Sequence, residues 1–60
     1  MKNFIKVTDK NTNEECYFSI QHITTIIPRE SFTFIGLSST KYSVVKESVD
    51  EIKKLIEEAQ

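Results

Sequence analysis

One cysteine, one proline, one glycine and no tryptophan occur in these 60 residues. With Cys16 alone, no disulfide can form within the chain. Cys16 and the single histidine, His22, cannot by themselves build a zinc site, so no metal site is expected. A single glycine, Gly36, excludes a glycine-rich phosphate loop. No apolar run approaches the roughly 18 residues of a membrane span. The opening stretch MKNFIKVTDK holds no apolar segment of signal-peptide length. Eight basic and nine acidic residues leave a formal net charge of −1. No face is thereby forced to be basic enough for nucleic acid. The expectation is a cytoplasmic protein with no cofactor, no membrane span and no inferred small-molecule substrate. The unpaired Cys16 agrees with a reducing compartment.

Catalytic constellations are equally scarce. Cys16 and His22 are separated by a strand end and a turn, whereas a nucleophile and its base must lie within hydrogen-bond reach. Strand parity points Cys16 into the core, where a thiol behaves as a small hydrophobe. His22 reads as a surface or capping residue. The acidic pairs Glu14-Glu15, Asp50-Glu51 and Glu57-Glu58 are sequence neighbours. Neighbours point apart in a strand and lie about 100° apart on a helix, so none forms an acid–base couple. No enzyme is expected.

What the chain does have is a clear ending. Residues 41–60 read as one short strand running into one amphipathic helix. Ser48 followed by Glu51 is a capping box: the hydroxyl accepts from the first turn and the carboxylate reaches back to the Ser48 N–H. Val49, Ile52, Leu55, Ile56 and Ala59 recur at steps of three and four and form one apolar stripe. The opposite face can pair Asp50 with Lys54, Lys53 with Glu57 and Lys54 with Glu58, each worth roughly 0.2–0.5 kcal/mol. So short a helix is marginal alone, and its stripe must pack on something.

Upstream, the pattern is strands and turns. Residues 4–8 alternate as a first strand and residues 15–20 as a second, joined by the polar cluster 9–13. The β-branched run 23–27 is a third strand, ended by Pro28. Residues 32–37 and 41–45 make a fourth and a fifth, separated by the hydroxyl-rich turn Ser38-Ser39-Thr40. Gly36, inside the fourth, marks a bulge or a close backbone approach. The fold expected is α+β: a single domain over residues 1–60, an antiparallel β-meander of about five short strands with one C-terminal α-helix across one sheet face.

Parity turns Ile5, Val7, Cys16, Phe18, Ile20, Ile35 and Leu37 toward the helix. Phe4, Tyr17, Phe32 and Phe34 then share the far face. The registers of the third and fifth strands do not follow from the pattern, so Ile26, Ile27 and Tyr42 carry no assignment. A strand covered on one face is ordinarily polar on the other, and the fourth is apolar on both. Four exposed aromatics exceed what a small monomer normally shows. The candidate interface is therefore Phe4, Tyr17, Phe32 and Phe34, and the expected partner is a second copy (a homo-oligomer) or another protein. The competing reading has a bent sheet or the N-terminal residues hiding these rings. A domain of this size buries only about 60% of its unfolded surface, which leaves oligomerisation as a natural support. An alternative, of another class, is a small nucleic-acid-binding regulator that stacks bases on the same rings, with Lys2, Lys6 and Lys41 nearby. Glu14, Glu15, Glu30 and Glu47 dilute the field such binding needs.

The segment Val44-Val45-Lys46-Glu47-Ser48-Val49-Asp50-Glu51-Ile52 resembles the end of the small flagellar-operon proteins of the FlbD/SwrD type. Upstream, Ile5-Lys6-Val7-Thr8 is similar to that family's opening strand, Ser19-Ile20-Gln21-His22-Ile23 to its entry into the third strand, and Thr33, Ile35 and Leu37 to its alternating strand. The first turn is longer than the family's Asn-Gly, and Thr40 stands where the family has glycine. The resemblance covers nearly the whole chain and carries over no catalytic residue. It implies a small cytoplasmic accessory protein of motility that acts through protein contacts.

Overall fold

The computed structural model describes residues 2–38 and 41–60. Ser39 and Thr40 of the expected hydroxyl-rich turn lie outside the described residues. The chain runs β1 (Phe4–Thr8), β2 (Glu15–Ser19), a 3-10 turn (Ile20–His22), β3 (Ile23–Pro28), β4 (Thr33–Leu37), β5 (Tyr42–Val45) and α1 (Val49–Ala59). All strand pairs are antiparallel, so the domain is an α+β meander ending in a helix.

The strands divide into two sheets, β1-β2 and β3-β4-β5. The division falls where alternation fails in the sequence: Gln21 and His22 enter the 3-10 turn, closed by the Ile23 N–H donating to the Ile20 carbonyl. The sheets are stitched at the far end of β1. Asp9 bridges Val45, the Lys10 N–H donates to the Val44 carbonyl (2.9 Å) and the Lys46 N–H donates to the Thr8 carbonyl (2.9 Å).

Between β1 and β2, the loop 10–13 is organised by Asp9. Its Oδ1 accepts the N–H groups of Asn11 (2.8 Å) and Thr12 (3.0 Å). Asn13 closes the loop in the left-handed region, φ 63°. Asparagine tolerates that conformation better than most residues.

Both sheets and α1 share one core. Ile5, Val7, Ile35, Val45 and Ile52 are buried. Cys16, Phe18, Ile20 and Leu37 pack against them, so all seven residues expected to face the helix lie in the core or on its border. The apolar stripe of α1 packs on β1 and also reaches β3. The capping box is formed: the Ser48 Oγ accepts from the Glu51 N–H (3.2 Å) and Glu51 Oε1 accepts from the Ser48 N–H (3.0 Å). At the other end the Asn3 N–H donates to the Ala59 carbonyl (2.9 Å), satisfying an acceptor that a helix C-terminus leaves open. Of ion pairs among the described residues, Lys6–Glu15 closes at 3.5 Å and the expected helical pairs do not. Their side chains remain in solvent, where pairing gains little.

Candidate functional site

The candidate site lies on the side of β4 that the core does not use. Thr33, Ile35 and Leu37 point to one face of β4, and Phe34 and Gly36 to the other. Register extends this second face across the sheet. Phe34 stands between Ile27 of β3 and Val44 of β5, and Gly36 between Thr25 and Tyr42. The outer face of β3-β4-β5 is thus a row of apolar side chains beside a row that holds one ring over a glycine.

Gly36 makes room for that ring. A methyl group on its Cα would sit 3.2 Å from Tyr42 Cε1 and 3.2 Å from Thr25 Cβ. β3 also shifts register between Ile23 and Thr25, beside this position. Of the two alternatives expected for Gly36, the close backbone approach is present, and the register shift lies opposite it in β3. Tyr42 remains 64% exposed.

The rings contact one another edge to face. Phe32 and Phe34 have centroids 5.3 Å apart at 85°, and Phe34 and Tyr42 lie 6.4 Å apart at 80°. Aromatic quadrupoles favour such arrangements. Two cations border them: Lys10 Nζ is 5.3 Å from the Phe32 centroid and Arg29 Cζ is 5.5 Å from that of Phe34. The β3–β4 turn places the guanidinium. The Arg29 N–H donates to the Phe32 carbonyl (2.9 Å), and Nη1 donates to the Pro28 carbonyl (3.0 Å). Ile27, Arg29, Phe34 and Tyr42 line an open depression of about 230 Å³.

Of the four aromatics singled out in the sequence, Phe32 and Phe34 come together here. Phe4 and Tyr17 sit on the other sheet, opposite Ser19 and Lys6, and are 39% and 52% exposed. No aromatic contact joins them to Phe32 or Phe34. Sequence reasoning missed Ile27, Tyr42, Lys10 and Arg29. For Ile27 and Tyr42 the missing quantity was register. For Lys10, no local signal reports that the hairpin loop reaches across to the second sheet. Lys6, grouped with the rings in the sequence reading, pairs with Glu15 instead.

His22 and Asp9 are held by structural bonds. His22 Nδ1 lies 2.9 Å from Ser38 Oγ, and the His22 carbonyl accepts the Ser38 N–H (2.8 Å), tying the 3-10 turn to the end of β4. Cys16 is half-buried at the core border. The backbone N–H groups of Thr12 and then Asn11 hold the Asp9 carboxyl below the ordinary aspartate value of 3.8. Among the described residues, no group of three His, Cys, Asp or Glu side chains is placed to hold a metal ion. No helix there is long and apolar enough to cross a membrane. The arrangement can offer apolar area, ring faces and two cations to a ligand.

Compared with protein families, curated proteins and solved structures, the chain matches none.

Proposed function

We propose that this chain is a non-enzymatic interaction module that self-associates or docks on a partner protein through the outer face of β3-β4-β5. One observation carries the reading: Ile27, Phe32, Phe34 and Tyr42 form a connected apolar surface on the side of the sheet away from the core. Contiguous apolar surface on so small a domain marks an interaction site. A cytoplasmic accessory role in motility is the specific form that the resemblance to FlbD/SwrD-type proteins suggests.

The test is molar mass by light scattering over a dilution series, for wild type and Phe34→Glu, with circular dichroism on both. A wild-type oligomer that the folded variant disperses makes the face a self-association surface. A wild type that stays monomeric at high micromolar concentration, with a folded variant, removes the homo-oligomer and leaves the face to another protein. A monomeric wild type with an unfolded variant makes Phe34 part of the core and overturns the proposal.

The two cations bordering the rings favour one second reading, in which the same face stacks single-stranded nucleic acid. A salt-dependent anisotropy change with a labelled oligonucleotide tests it.

A further inference from the structure

The charges around the outer face narrow its occupant. Lys10 and Arg29 stand over Phe32 and Phe34 at centroid distances of 5.3 and 5.5 Å. Among the described residues neither closes an ion pair with a carboxylate. Glu30, the next residue in the same turn, is exposed and leaves Arg29 unpaired. The Glu47 carboxylate is engaged elsewhere, by the Thr8 N–H (2.8 Å) and the Thr8 hydroxyl (3.0 Å). Of the Arg29 donors, Nη1 reaches a backbone carbonyl. The face therefore combines apolar contact with two cations that close no ion pair among the described residues, on a chain of net charge −1.

A second copy fits this poorly. In a two-fold pair each patch meets itself, so Lys10 and Arg29 of both copies would enter one interface with Glu30 as the one carboxylate of the β3–β4 turn to meet them. Like charges brought together at an interface are disfavoured. Single-stranded nucleic acid would use the rings and the cations, but two cations on an acidic chain supply little of the backbone neutralisation such binding rests on.

We infer that the outer face takes a polypeptide segment that carries Asp or Glu residues beside an aromatic or aliphatic anchor. The anchor fills the depression between Ile27, Phe34 and Tyr42, and the carboxylates meet Arg29 and Lys10. Arginine suits this role because its planar fork donates two parallel hydrogen bonds to a carboxylate. This inference rests on the docking role proposed for the face, and selects the partner form of it.

The experiment is selection of phage-displayed random 12-residue peptides on the wild-type protein, with counter-selection on Phe34→Glu. Binding of the selected peptides is then measured by fluorescence anisotropy. The expected result is enrichment of Asp and Glu around an apolar residue. The double variant Lys10→Glu/Arg29→Glu should weaken those peptides at least tenfold while keeping the wild-type circular dichroism. Enrichment of neutral or basic peptides that need Phe34 but ignore the double variant overturns the acidic partner and leaves the docking face standing. A library that yields no Phe34-dependent peptide overturns both. Tighter binding of a 20-residue oligothymidylate than of any selected peptide replaces the protein partner with nucleic acid.

Discussion

Glu47 holds Thr8 twice: Oε1 accepts the Thr8 backbone N–H at 2.8 Å and Oε2 accepts the Thr8 hydroxyl at 3.0 Å. The same residue's carbonyl accepts the hydroxyl of buried Thr33 at 2.8 Å. One residue, just before the helix cap, thereby joins β1, β4 and the start of α1. Hydrogen bonds to a charged group are worth roughly 1.5–3 kcal/mol, and a donor left unpaired costs more than a bond exchanged. Glu47→Ala should destabilise the domain by about 2 kcal/mol and Glu47→Gln by less, in urea denaturation. An alanine variant within about 0.5 kcal/mol of wild type would mean that solvent replaces both bonds.

Asn13 closes the first hairpin at φ 63°, and its Oδ1 also accepts from Lys46 Nζ. A side chain without asparagine's tolerance pays roughly 1–2 kcal/mol in the left-handed region, and glycine does not. Asn13→Ala should lose about 1 kcal/mol while Asn13→Gly stays close to wild type. Equal losses in both would assign the effect to the bond with Lys46 instead of the backbone.

Asp9 gives the fold a pH dependence of known sign. Its carboxyl is depressed in the folded state, chiefly by the N–H of Thr12 and then that of Asn11. A depressed carboxylate stabilises the fold fully above its unfolded value, near 3.8. That contribution is lost as pH falls through the folded value. The stability difference between wild type and Asp9→Ala should therefore narrow as pH is lowered from 6 to below 4. A difference that is constant over that range would show that the Asp9 charge contributes nothing.

Much of the fold was legible in the sequence because its signals are local. Ser48 and Glu51 announce the cap within four residues, and the helix stripe depends only on spacing. The alternation of Ile5 with Val7 and of Cys16 with Phe18 assigned their faces correctly. The site was less legible because it is made by register and by loop reach. Phe32 and Phe34 belong to one strand and its approach, so their closeness could be read directly. Tyr42 joins them only because it pairs with Gly36, and Ile27 only because it pairs with Phe34. Phe4 and Tyr17 left the group because the 3-10 turn divides the strands into two sheets, which parity within single strands does not report.

β4 carries core on one face, and the other is the face proposed for docking. Phe34 and Ile35 are neighbours on opposite sides of it: Ile35 is 0% exposed, and Phe34 lies half-buried beside Arg29. Thermal unfolding of Phe34→Glu next to Ile35→Glu tests this most directly. The expected result is a cooperative transition for Phe34→Glu, lowered by no more than about 1–2 kcal/mol, since the lost contacts are peripheral ring packing. Ile35→Glu, with an unpaired carboxylate in the core, should not fold. Loss of folding in both variants would contradict the claim and place Phe34 in the core with Ile35.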